Sequence, residues 1–510
     1  MFSLLDRYKE QIQGTLTCLD RIVFMGNLRS ICYSLGMQSY LNNHNILFKD
    51  YPRFAEPLRD NLKKHIIQIA QKEGLVIEFI RSAKSFRKEQ RIQEIIRERN
   101  ITTGLVHIFA AMECCSTYRY QYNKITGKNY LRGDESKCVH YYVYILHENF
   151  GLCYLRIPTW APFRLQFYCN GHNWLASQLK KENIAFHQLD NSFSQIDNWE
   201  RAQEIANTFP IEELHAELDR LVNELCPYMS SFEESYHWSL MQVECSTDIV
   251  FKKQDELAPL YDALIHSAIH TVKPDNVATF LGRKLDPQYE GEVGNNFHTR
   301  IEGTRIKHHM GEASIKMYDK QKLVLRIETT VNDVSFFKHY RTVEHRDGTT
   351  EQKVAAMKKT IYSLNPLQEI MAACNRRYLS FLSELADPTI GVKKVEKLSS
   401  PARTGDRSYR GFNLFSSEDL NLFRTLLRGE VALGALKNSW LRKMLHGLSG
   451  GQASRIFKRL HLHGLVKKIG HTYRYHLTEF GREVATMALK LKELVVVPYF
   501  AGTTPAKAQI

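Results

Sequence analysis

Between Arg300 and Asp333 the chain reads RIEGTRIKHHMGEASIKMYDKQKLVLRIETTVND, and this stretch holds the residues best suited to chemistry. Tyr318 is followed by Asp319 and Lys320, and a second strand-like run carries Arg326 and Glu328. A period of two places Arg326, Glu328 and Thr330 on one face of that run, and Leu325, Ile327 and Thr329 on the other. Carboxylates are hard oxygen ligands for Mg2+ or Mn2+, and a cation beside a tyrosine hydroxyl stabilises charge developing on a phosphate under attack. The expected catalytic set is therefore Tyr318, Asp319 and Glu328, with Asp319 and Glu328 as metal ligands and Lys320, Glu302 and His308 nearby. Tyr318 and Asp319 point to opposite faces of a regular strand, and the site requires the strand to end or bulge at Tyr318. The plain alternative is a cross-strand ion pair of Glu328 with Arg326 on a solvent face.

The hairpin ending in Tyr318-Asp319-Lys320, followed by a strand bearing Arg326-Ile327-Glu328, resembles the plasmid rolling-circle replication initiators and other mobile-element proteins. The resemblance covers about thirty residues of 510. It implies a metal-dependent DNA strand-nicking endonuclease whose tyrosine becomes bonded to the 5′ phosphate. The chain departs from that family in having no His-hydrophobic-His pair on a strand; its one such string is His461-Leu462-His463.

A second group of residues suits recognition. The string from Ser449 to Arg482 is SGGQASRIFKRLHLHGLVKKIGHTYRYHLTEFGR. Ser449 suits an N-cap, Ala453, Ile456, Phe457 and Leu460 form an apolar stripe at helical spacing, and Gly464 suits a helix stop. Leu465, Val466, Ile469, Tyr473 and Tyr475 then read as strands about a turn at Gly470. From Lys437 to Arg482 there are ten Lys/Arg against the single acid Glu479, a bias that favours a polyanionic partner. The segment over about 412–495 resembles the MarR-type winged helix of bacterial regulators. That resemblance implies that Gln452, Arg455, Lys458 and Arg459 face the DNA major groove, with Lys467, Lys468 and Arg474 on a wing. Farther upstream, Tyr142, Tyr144 and Trp160, with Arg156 and Arg164 beside them, are candidates to stack on unpaired bases, their other role being to fill a sheet core.

The elements that must position these groups are read from periodicity. Residues 1–103 read as a helical region, including a basic run from Arg81 to Arg99. Residues 104–229 read as an aromatic-rich α+β unit with strands near 138–147, 152–158 and 164–169. Residues 230–390 form a second α+β unit, with strands at His237–Phe251 and Leu323–Val331, a hairpin about Gly311 and a helix over 351–386. Residues 391–413 have a linker's composition, and 414–510 form the winged-helix domain. The whole is an α+β chain.

A length of 510 residues exceeds what one core usually supports, and the net charge of +14 favours nucleic acid as partner. No run is long and apolar enough to cross a membrane and no signal peptide is evident, so a cytoplasmic protein is expected. Ten scattered cysteines fit a reducing compartment, and the grouping of Cys114, Cys115, Cys138 and His140 lacks zinc-knuckle spacing. There is no phosphate-cradling GxxxxGK[ST] loop, no GxSxG elbow and no HExxH helix. The expected function is that of a mobile-element protein which recognises DNA through its C-terminus and nicks or processes it in its body. The alternatives are a non-catalytic MarR-like regulator and an RNA-binding ribonucleoprotein component; a homodimer is left open.

Overall fold

The run IQGTLTCLDRIVFMGN near the N-terminus is dense in β-branched and apolar residues, and both of its faces are covered. It forms β1 (Ile12–Asn27), at the heart of the main sheet rather than in a helical region as expected from 1–103. The computed structural model describes residues 4–81, 86–284, 291–300, 303–345, 347–385, 389–428, 435–470 and 472–501. Its fold is α+β.

Strands β2 (Glu78–Ile80), β3 (Gly104–Asn123), β4 (Lys128–His147), β5 (Gly151–Pro158) and β6 (Leu165–Asn170) follow, with β7 (Phe186–Gln188) and β8 (Phe193–Ile196) in a small separate hairpin. Then come β9 (His237–Phe251), β10 (Val293–Arg300), β11 (Gly303–Met310), β12 (Ala313–Lys320) and β13 (Val324–Val331). Eleven strands make one sheet in the order β10-β11-β12-β13-β9-β1-β6-β5-β4-β3-β2, antiparallel except for the β2–β3 pair. The two α+β units read from the sequence are thus halves of one sheet, joined through β1 between β9 and β6, and Met1–Glu384 is a single compact unit.

Early helices α1 (Leu4–Arg7), α2 (Ser34–Asn43), α3 (Tyr51–Lys72) and α4 (Lys88–Arg99) are followed by α5 (Gly171–Lys181), α6 (Trp199–Ala206) and α7 (Ile211–Leu225). The start of α5 lies so close to β1 that a Cβ on Gly171 would stand 2.2 Å from the Leu19 carbonyl oxygen, a separation only glycine allows. Beyond β9 come α8 (Gln254–Thr271), α9 (Pro274–Phe280) and α10 (Leu364–Leu385). Residues expected to be helical from 351 instead begin as strand: β14 (Lys338–Glu344) and β15 (Thr350–Ala356) form a two-stranded ribbon outside the main sheet. On the side of the main sheet that carries Ile315, Met317, Leu325 and Ile327, Thr329 Oγ1 donates to Asn375 Oδ1 of α10 at 2.7 Å. Among the described residues no helix is long and apolar enough to cross a membrane.

Leu385–Ile510 is a second compact unit. The expected linker 391–413 is part of it, holding α11 (Thr389–Ser399) and a hairpin of β16 (Ala402–Thr404) and β17 (Arg407–Tyr409). Its polar composition hides two core residues, Leu398 and Phe412, both buried. Then follow α12 (Ser417–Leu426), β18 (Leu436–Lys437), α13 (Asn438–Met444), α14 (Gly450–Leu462), β19 (Val466–Lys468), β20 (Arg474–Leu477) and α15 (Glu479–Lys490), the strands pairing in the order β18-β20-β19. At the head of α14 the Gln452 amide donates to Ser449 Oγ while Gln452 Oε1 accepts from the Ser449 amide, a reciprocal cap. Gly464, at φ +79°, ends the helix, and Leu465 turns into the core.

Arg459 does not face outward as expected. Its guanidinium donates to both Asp419 oxygens at 2.7 and 3.0 Å and to the carbonyls of Arg410 and Gly411, and it lies 3.8 Å from the centroid of the Phe412 ring. Removing one partner of such a buried pair leaves the other unneutralised. Arg459→Ala should therefore lower the unfolding free energy of the isolated unit 385–510 by about 3–5 kcal/mol in urea titration, whereas Arg455→Ala, at an exposed position, should shift it by less than about 0.5 kcal/mol.

Candidate active site on the polar face of the sheet

One face of the main sheet is polar across β12, β13 and β9, because period-two alternation continues across neighbouring strands in register. Lys316↔Glu328, Tyr318↔Arg326, Thr330↔Glu244, Glu328↔Ser246 and Arg326↔Asp248 are directly opposed pairs. The arrangement expected within one hairpin is therefore assembled from four strands.

At its deepest point lies Arg326, fully buried. Its Nε and Nη2 donate to the two oxygens of Asp248, each at 2.6 Å, and Nη1 donates to Asp20 Oδ2 at 3.0 Å. Asp20 also accepts from the side-chain amides of Asn170, at 2.6 Å, and Asn191, and stands 3.5 Å from His172 Nδ1. Burial alone would raise the Asp20 pKa, but the neighbouring His172 imidazole, the Arg326 charge and the Asn191 amide outweigh it and hold the carboxyl well below its ordinary range. The Arg326–Glu328 ion pair on a solvent face is thus replaced by a buried clamp of Arg326 between two aspartates.

Nearer the surface, Tyr318 Oη donates to Glu328 Oε2 at 2.6 Å. Glu328 Oε1 accepts from Lys316 Nζ, which lies 3.4 Å from Glu244 Oε1, and Thr330 Oγ1 stands 3.3 Å from the same oxygen. Burial and the Glu328 charge raise the Tyr318 pKa well above the ordinary phenol, and the hydroxyl keeps its proton at neutral pH. The Glu244 pKa is likewise raised, first by burial and then by Glu328, and the Lys316 ammonium between them only partly offsets this. Oxygens of Asp20, Glu244 and Glu328 lie within 4.8 Å of one another. Three hard oxygen donors in that space match the ligand chemistry of Mg2+ or Mn2+.

Asp319, expected as a metal ligand beside Glu328, is on the opposite face, where its backbone amide meets the Tyr261 hydroxyl of α8. Strand β12 runs regularly through Tyr318 to Lys320, with no bulge to bring the two residues to one side. The carboxylates that do stand beside Glu328 come from β1 and β9. Their signal in the sequence was a charge set within an apolar run, LTCLDRIVF for Asp20 and LMQVECSTDIVF for Glu244 and Asp248. Lys320 shares the Tyr318 face and reaches Asp190, at 3.2 Å, and Asn191. Glu302 lies outside the described residues.

Tyr142 and Tyr144 are not available for stacking: both are buried with Phe109 and Tyr154 beneath Ile92 and Ile95 of α4. Their strand was correctly crowded with aromatics, but a basic helix covers this part of the face. Trp160 is half-buried, donates from Nε1 to Thr117 Oγ1 at 2.9 Å, and walls a cavity. In the C-terminal unit Gln452, Arg455, Lys467, Lys468 and Arg474 are exposed and Lys458 is half-buried, while His463 is buried against the Arg459 and Ser400 carbonyls.

The chain matches no family model, and no curated protein or solved structure matches it.

His308 lies across the sheet from Tyr318, buried between Asn295 Oδ1, 2.6 Å away, and Tyr378 Oη, 2.9 Å away. Burial lowers its pKa from 6.5 to about 3. The unfolded chain takes up this proton first on acidification, so the stabilisation from a neutral His308 is complete above about 6.5 and is lost as pH falls toward 3. Between pH 7 and pH 5 wild type should lose about 2 kcal/mol more than His308→Gln in paired urea titrations.

Proposed function

We propose that this chain is a nucleic-acid-processing protein of a mobile genetic element that nicks one DNA strand with Tyr318. The observation that carries this reading is the 2.6 Å hydrogen bond from a phenol to a carboxylate inside a cluster of three acids drawn from three strands. A sheet that needs only stability has little use for three crowded carboxylates answered by Lys316 and Arg326, because apolar side chains fill such a space without the cost of desolvating charges. Asp20, Glu244 and Glu328 would hold a divalent cation, which supplies Lewis-acid neutralisation of the scissile phosphate when bound.

Glu328 Oε2 receives the Tyr318 proton as Oη attacks phosphorus; the P–O3′ bond breaks and the departing O3′ takes a proton from solvent, leaving a 5′-phosphotyrosine and a 3′-hydroxyl. Lys316, on the other oxygen of Glu328, offsets the charge that Glu328 and Glu244 share with the phosphate. Arg326 is a positioning residue here, fixing Asp20 relative to β9 and β13.

The C-terminal unit supports the recognition half of the proposal. Its order of helix, strand, two helices, hairpin and helix is compatible with the proposed winged helix of the MarR type, in which α14 would be the reading helix and β19–β20 the wing. Gln452, Arg455 and Lys458 would then meet the major groove, and Lys467, Lys468 and Arg474 the phosphates. Arg459 belongs to the core and leaves this set.

Purified protein incubated with Mg2+ or Mn2+ and supercoiled or single-stranded DNA should yield a covalent 5′-linked product. Tyr318→Phe should abolish that product and spare binding, and Glu244→Gln should remove metal dependence together with activity. Binding without cleavage under all these conditions leaves a regulator and removes the enzyme. Arg455→Ala should weaken binding at a preferred site by about 1–3 kcal/mol, whereas Lys467→Ala should weaken all duplexes alike and reduce the salt slope.

A further inference from the structure

The polar face does not stop at the carboxylates. Beyond β9 it continues through Arg21 of β1, half-buried, whose guanidinium lies 5.2 Å from the centroid of the Tyr168 ring. Arg21 has no salt bridge among the described residues, and its buried Nε lacks a hydrogen-bond partner. Past Tyr168 the face dips into a cavity of about 160 Å3 lined by Met25, His140, Arg156, Trp160, Gln166 and Met241, among others. That is below the roughly 300–1,000 Å3 of pockets that engulf whole small molecules, and it suits one ring system.

The polar groups around this cavity have unused hydrogen-bonding capacity. His140 is 1% exposed; its Nδ1 faces the Cys138 carbonyl at 3.1 Å, and its Nε2 has no partner among the described residues. Arg156 binds Glu113 through Nε and Nη2, leaving Nη1 over. The Arg164 Nε is buried and unsatisfied. Gln166 spends its amide only on the Met241 sulfur, at 3.7 Å. The arginines thus bring spare donors, while His140 Nε2 (an acceptor when Nδ1 donates to the Cys138 carbonyl) and Gln166 Oε1 bring spare acceptors, and Trp160, Met25 and Met241 supply flat or polarisable walls.

We infer that this cavity takes one unstacked base of the DNA strand that Tyr318 cuts, and that the base is guanine. Guanine offers the acceptors O6 and N7 to the two arginines and its N1–H and N2–H2 donors to His140 Nε2 and Gln166 Oε1, a complement that no other base matches on both counts. A base turned out of a single strand is held by stacking on aromatic or thioether walls and by hydrogen bonds to its rim. By strand spacing and rise the cavity lies about 20 Å across the sheet from Glu328, a separation of a few nucleotides. Arg21 lies between them and pairs with an intervening phosphate. The inference rests on the proposed nicking of a single strand, but its test does not need cleavage.

The test uses the full chain without divalent cation and a fluorescently labelled oligothymidylate, with or without one guanine. Anisotropy should show the guanine-bearing strand bound about tenfold more tightly, with 7-deazaguanine losing part of the gain. Gln166→Ala should bring the guanine-bearing strand down to the level of plain oligothymidylate and leave the latter unchanged; Met241→Ala should reduce the same preference. Equal affinity for both strands, or a Gln166→Ala loss common to both, overturns the cavity assignment while leaving nicking by Tyr318 in place. Failure of every single strand to bind overturns both.

Discussion

Arg326 is the constraint on which the body depends. A fully buried guanidinium is tolerable only when neutralised and hydrogen-bonded, and its partners come from Asp248 on β9 and from Asp20, 306 residues earlier in the chain. Satisfying that one side chain brings β13, β9 and β1 into a single arrangement. It also fixes the height at which Asp20 stands beside Glu244 and Glu328. Shape specificity and the candidate chemistry thus share one ion-pair network, in which Asp20 belongs to both the clamp and the carboxylate cluster.

The network also explains why the polar face is not a solvent face. The side of the sheet opposite carries Ile315, Met317, Leu325 and Ile327, all buried, and hydrophobic burial alone would have sufficed to stack helices there. On the polar side, charges sit beside strands whose other side chains are apolar, and Arg326, Asp20, Asp248, Lys316 and Glu328 each have a partner of opposite charge. Tyr318 keeps its proton and Glu244 its raised pKa because water is scarce at that depth while like charges are close.

What could be read from the residues was local. The reciprocal cap of Ser449 and Gln452, the stop at Gly464 and the period-two split of Arg326 and Glu328 from Leu325 and Ile327 all follow from spacing within a few positions. What could not be read was which distant segment supplies a partner. Asp20 lay in a stretch taken as helical, and nothing near Glu328 in the chain announced Glu244. Arg459 carried the same charge as Arg455, and only the position of Asp419 and Phe412 decides that one is core and the other exposed. Tyr142 and Tyr144 failed as stacking platforms for a similar reason: α4, some forty residues upstream, lies over them.

The placement of β1 carries a consequence for how the protein comes into being. β1 lies between β6 and β9, whose pairing residues are more than a hundred and two hundred positions downstream and so are synthesised later. Until those strands have been synthesised, β1 has two unpaired edges and an apolar surface of Leu16, Leu19, Ile22 and Phe24, the profile of a segment prone to join another chain. Such non-local pairing closes slowly, because loop entropy must be overcome before contacts reward it. Assembly of the sheet therefore depends on β1 being shielded until β6 and β9 have been made, which sets a demand for chaperones during synthesis.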